Sequence, residues 1–174
     1  MKRKSLSKLT AILLAVLLII SSAPMTALAA QVQLQPDSEG NEFVLMPATG
    51  TDTLDLSDRT AGFTFNVYDD GGPETDYSSN CDGYLQITVR SGCLIQISGS
   101  GNAENTSYDW LSIYDGSDNS APTLGGDENS KYSGRPFTVS PQLSSGNVIT
   151  LWFRSDYTLL HSQRRNGALL LRRP

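Results

Sequence analysis

From about residue 43 onward, apolar side chains recur at every second position, in short runs separated by turn-forming residues. "GFTFNVY" places Phe63, Phe65 and Val67 on one face, and "YLQITV" does the same with Leu85, Ile87 and Val89. "CLIQI" alternates Cys93, Ile95 and Ile97, and "PFTVS" alternates Phe137 and Val139. In "WLSIY", Leu111 and Ile113 share one face while Trp110 and Tyr114 share the other. "VITLWF" sets Ile149, Leu151 and Phe153 against Val148 and Trp152. A period of two is the side-chain period of a β-strand, and no stretch after the first 30 residues keeps a helical period. Turn signals such as "DDGGP", "GSGN", "DGSDN" and "SGN" bound the runs. The pattern predicts an all-β, antiparallel β-sandwich over residues 43–171. "GYLQITVRSGCLIQI" reads as a hairpin closed by a Ser-Gly turn, and "GALLL" as a last buried strand. Residues 30–42 are polar and read as a loose lead-in, and residues 172–174 as a tail.

The first 29 residues have a different character. "MKRKSLSKLT" is basic, "AILLAVLLII" is a short apolar run, and Ala27-Leu28-Ala29 is a small-x-small cleavage pattern. The three together read as a secretory signal peptide, which implies a secreted, extracellular domain with no membrane segment after cleavage. Loss of Lys2, Arg3, Lys4 and Lys8 would leave nine basic residues against 18 acidic ones. A surface this acidic speaks against a nucleic-acid partner, because phosphate contacts need cations. It suits cations or basic protein partners.

Export permits disulfides, and the chain has two cysteines, Cys81 and Cys93. In the hairpin reading one lies near the base and the other at the tip. That separation is far beyond the ~5.5 Å a disulfide spans between Cα atoms, so they are expected unbonded.

Several segments, in this order, resemble the CUB domain family. "YDDGG" (68–72), "DYSSN" (76–80) and "GYLQI" (83–87) resemble the start of its bacterial secreted members. "AENTSYDWLSIYDG" (103–116) resembles the family's acid, spacer and D-[YW]-L-x-I-[YH]-D-G stretch. "LWFRSD" (151–156) resembles its late strand ending in Ser-Asp, and "NGALLL" (166–171) its final strand. The cysteine pairs of the family are not reproduced, and Ala168 stands where an aromatic is expected. The resemblance implies a jelly-roll-like sandwich acting as an extracellular binding module. It also implies a calcium site made by Glu104, Asp109 and Asp156, with the carbonyl of Thr158 as a further ligand.

The residues themselves leave two readings of the acids open. Asp109 opens one strand and Asp156 follows another. If those strands pair antiparallel, both carboxylates reach one end of the sandwich, beside the loop that carries Glu104. Calcium takes six to eight oxygens in flexible geometry, and such a cluster suits it. Alternatively, Asp109 and Asp156 are Asx-type caps on turns and Glu104 is solvated. Asp115-Gly116 and Asp118-Asn119 read as turn formers, and Trp110 and Trp152 as packing residues. Asn105-Thr106-Ser107 matches a glycosylation acceptor.

Nothing points to catalysis. His161 is the only histidine, and no nucleophile elbow, zinc helix or phosphate-cradling loop is present. The expectation is a non-catalytic module that binds a protein or glycan ligand through a basic group on the partner. The alternatives are a carbohydrate-binding module or a structural fragment of a larger surface protein.

Overall fold

The computed structural model describes residues 29–157 and the backbone of a last strand at 169–172. The signal-peptide reading (apart from Ala29), Thr158 and His161 lie outside the described residues.

Among the described residues, eleven strands form two sheets. They are β1 (Ala30–Val32), β2 (Gln35–Pro36), β3 (Glu42–Leu45), β4 (Thr49–Leu56), β5 (Phe65–Tyr68), β6 (Asp82–Val89), β7 (Gln96–Ala103), β8 (Trp110–Tyr114), β9 (Gly134–Leu143), β10 (Val148–Arg154) and β11 (Leu169–Arg172). The first sheet runs in the order β1-β4-β6-β10-β8, the second in the order β2-β3-β5-β11-β7-β9. Among the described residues no helix is long and apolar enough to cross a membrane.

The alternation in sequence becomes the core. Leu85 and Ile87 of β6, Ile113 of β8, and Ile149 and Leu151 of β10 are fully buried. They meet Phe65, Val67, Ile97 and Val139 from the second sheet in one cluster. Burial at every second position follows from the pleat, which points successive side chains to opposite faces. All five residues of β8 are buried, because Leu111 and Tyr114 also bridge to Tyr132 and Thr123 of the following segment. On the outer face of the first sheet, Trp152 stacks on Tyr84 at 5.3 Å and meets Trp110 edge-on at 5.8 Å. These tryptophans therefore pack between strands, as the sequence implied.

Four expectations need correction. The sandwich is not wholly antiparallel: β1 with β4, β4 with β6, and β3 with β5 pair in parallel. Parallel neighbours arise because each is reached by a crossing from one sheet to the other, so no tight turn joins them. The expected hairpin is not one. β6 lies in the first sheet and β7 in the second, and residues 90–95 carry the chain across. Residues 30–42 are not loose, since β1 pairs with β4 and β2 with β3. The last strand takes in Arg172, which the sequence assigned to the tail.

β4 escaped the alternation count, although Leu54 and Leu56 are buried, because its first half is polar and exposed. Cys81 and Cys93 are both free thiols, as expected. Gly83 has no room for a side chain, because a Cβ there would fall 1.7 Å from the carbonyl oxygen of Pro47.

This core makes a direct prediction. Ile149→Ala should cost about 2–5 kcal/mol of stability, the range for large-to-small changes at buried sites. Ser140→Ala, at an exposed position of β9, should stay within about 0.5 kcal/mol. Urea unfolding of both variants measures the difference.

Candidate metal centre

β8 and β10 pair antiparallel with Trp110 opposite Arg154. The residue before β8, Asp109, therefore lies beside the residues that follow β10, Ser155 and Asp156. Glu104 follows β7 directly and enters the same corner. One carboxylate oxygen from each of Glu104, Asp109 and Asp156 lies within 4.8 Å of the other two. Oxygens bound to one calcium ion stand 2.3–2.6 Å from it and so lie within about 5 Å of each other. The triad meets that limit, and these three residues could hold a metal ion.

The supporting bonds are long-range. Asp109 Oδ1 accepts the Asp156 N–H at 2.9 Å, and Oδ2 accepts the Tyr77 hydroxyl at 2.7 Å. Asp109 is thus a cap, but across 47 residues, not on a turn of its own. Tyr77 is fixed in turn by its edge contact with Phe153, 4.9 Å between ring centres. Ser155 stitches the Tyr77 loop to the end of β10: its hydroxyl accepts the Cys81 N–H and donates to the Ser78 carbonyl. The Asn80 N–H donates to the Asp156 carbonyl at 2.7 Å. Asn105 shapes the remaining wall. Its side-chain oxygen accepts the Ser107 N–H, and its carbonyl accepts the N–H groups of Tyr108 and Asp109.

Asp109 is only 1% exposed, and both of these bonds come from neutral donors. A buried carboxylate with neutral partners is stabilised further by any cation it can reach. Asp156 and Glu104 are partly exposed, so the cluster opens to solvent on their side. Tyr108 and Tyr157, each next to a member of the triad, are 48% and 77% exposed. Burial, together with the carboxylate of Asp109 that accepts its bond, raises the Tyr77 hydroxyl pKa, so it stays protonated as a donor.

Asp115 and Asp118 stand apart from this corner. Asp118 accepts from Ser120 within its own turn, whereas Asp115 reaches across to the Ser145 N–H. Tyr77 and Ser155 were not singled out by the sequence reading. Their partners are 32 and 74 residues away, so no local spacing marks them. No protein-family model matches the chain.

A second acidic group flanks the same end. Burial, aided by the charges of Asp70 and Asp76, pushes Asp69 up to about 6. Cys81 is pushed up to about 12, chiefly by burial, and donates its thiol to the Ser78 carbonyl. The raised Asp69 value has a stability consequence with a definite sign. Between about pH 4 and pH 6 the folded chain holds a proton that the unfolded chain has lost. The stabilisation is complete below pH 4 and is lost as pH rises toward 6. Asp69→Asn keeps an oxygen for the Gly71 N–H, which now bonds to Asp69 at 2.9 Å. The variant should remove this fall in stability, worth roughly 2 kcal/mol after allowance for partial exposure. Chemical denaturation across pH 4–7 checks it.

Proposed function

We propose that this chain is a secreted, non-catalytic CUB-like binding module whose acidic corner binds calcium and presents a protein or glycan ligand site. The observation that carries the reading is the convergence of Glu104, Asp109 and Asp156 from three separate strand ends within 4.8 Å. All three donors are carboxylates, hard oxygen ligands that suit calcium or magnesium better than zinc or copper. Calcium is favoured over magnesium because the triad sits on loops, whose flexible geometry suits six to eight ligands. The chemistry the ion would supply is positive charge at a corner where three carboxylates converge. Tyr77 and Ser155 hold that corner in place from the protein side, and a basic group on a partner would meet the carboxylate oxygens that remain.

The order of resembling segments supports the CUB-like assignment, and the leader-like first 29 residues support secretion. A carbohydrate-binding module is the second reading. The side-by-side Tyr84 and Trp152 rings on the outer face of the first sheet favour it.

Thermal unfolding with and without calcium tests the first reading. At a calcium concentration about 100 times Kd, stability should rise by ~2.7 kcal/mol, because the ion binds the folded chain alone. Asp156→Asn should abolish most of that rise. An unaltered midpoint in calcium, with no heat of binding by calorimetry, would overturn the reading.

A further inference from the structure

We propose that removal of the leader completes the fold: the α-ammonium it frees on Ala30 pairs with Asp52 and fastens the edge strand β1 to β4. The proposal rests on the leader reading, with cleavage between Ala29 and Ala30.

The register supplies the contact. β1 runs parallel to β4, and Ala30, Gln31 and Val32 lie opposite Asp52, Thr53 and Leu54. Neighbouring strands stand about 4.8 Å apart, so the backbone nitrogen of Ala30 is within reach of the Asp52 side chain. The pleat fixes where that side chain points. Leu54 and Leu56 are buried in the core, and Asp52, two residues before Leu54, shares their face. Its half-buried carboxylate therefore points inward at the rim of the sandwich, in a hollow lined by Val32, Gln33, Gln35, Val44 and Met46.

Nothing balances the charge of Asp52 there. Among the described residues it has no hydrogen-bond or ion-pair partner, and burial alone raises its pKa. No other residue that lines the hollow is ionisable, and its neighbour on β6 is Leu85. The five basic side chains between residues 29 and 157 are engaged elsewhere. Arg59 pairs with Glu42, and Arg90 donates to the carbonyls of Ser57 and Asp58. Lys131 and Arg154 cover Trp110, and Arg135 lies near Tyr77. A carboxylate on an inner face costs stability unless it is paired. Among the described residues, the cation that the register can bring to it is the freed end of β1.

Before cleavage the same nitrogen is a neutral amide. Hydrolysis adds water across the Ala29–Ala30 bond, leaving a carboxylate on Ala29 and an amine on Ala30 that is protonated at neutral pH. β1 has three residues and β4 as its one neighbour, and the Thr53 hydroxyl donates to the Ala30 carbonyl at 3.4 Å. An uncovered β4 would offer its backbone edge to other chains. The pair thus ties closure of that edge to maturation.

The test compares three chains: one that begins at Ala30 with a free amine, one with that amine acetylated, and one with two glycines ahead of Ala30. The glycines carry the amine about 7 Å away. All three keep every described strand. Acetylation or extension should raise the unfolding equilibrium constant about two- to fivefold at neutral pH, the span of a partly exposed ion pair. In Asp52→Asn the three chains should be equally stable. The paired amine holds its proton more tightly in the folded chain. Its stabilisation is therefore whole below about pH 7.7, the ordinary α-amine value, and is lost as pH rises through the folded value. Carbon-13 NMR should find the Asp52 carboxyl titrating at lower pH in the free-amine chain than in the acetylated one. Equal stability of those two chains with Asp52 in place, or a difference that survives in Asp52→Asn, would overturn the pair. Mass spectrometry of the exported chain should find Ala30 first; a different first residue would overturn the maturation step, whatever the strength of the pair.

Discussion

The pairing of β10 with β8 is the interaction on which the acidic corner depends. β10 lies inside the first sheet, matched to β6 along Val148–Arg154 and to β8 over Thr150–Arg154. That double constraint fixes its register. A slip of one residue would turn Ile149, Leu151 and Phe153 out of the core and bring Val148 and Trp152 in. The same slip would move Asp156 along the strand axis by roughly 3.3 Å and part it from Asp109. The bond from the Asp156 N–H to the Asp109 carboxylate extends the ladder by one rung beyond the last strand residue. Packing of the core and assembly of the site are consequences of one register.

The two ends of the sandwich are built differently, and their chemistry follows from that. At the acidic end, strands stop and their flanking residues converge, so carboxylates from distant parts of the chain meet. At the other end, the chain crosses between sheets twice, and apolar side chains line the gap that the crossings leave. The faces are largely committed to packing. Trp110, for example, lies under Lys131 at 3.5 Å and Arg154 at 5.1 Å. Loops at the ends of a rigid scaffold are where binding residues concentrate, because they vary without disturbing the core.

A buried carboxylate such as Asp109 costs stability unless its lone pairs are filled. Here the Tyr77 hydroxyl and the Asp156 N–H fill two of them. The arrangement rigidifies the corner, because removing either donor would take a hydrogen bond from a buried carboxylate. Asp69 shows the other outcome of burial. With Asp70 and Asp76 close by, it holds its proton to about pH 6 instead of being stabilised as an anion.

Alternation along the chain revealed which side chains face inward. Phe65, Val67, Leu85, Ile87, Ile95, Ile97, Ile113, Val139, Ile149, Leu151 and Phe153 are all buried in the structure. That much is local, because the pleat of a single strand sets its inner face whatever its neighbours are. The members of the acidic triad were legible too, from the CUB resemblance and from the places of Asp109 and Asp156 at strand ends, although the residues alone also allowed turn caps. Which strands pair was not legible. The chain's crossing after Val89 broke the apparent hairpin, and the parallel pairing of β4 with β6 leaves no mark in either segment. Tyr77 and Ser155 likewise gain their partners only once distant segments meet. Pairing and convergence are contacts between residues tens of positions apart, and a local period carries no information about them. Sequence alone determined the strands' inner faces and the residues that could meet; tertiary structure decided which of them do.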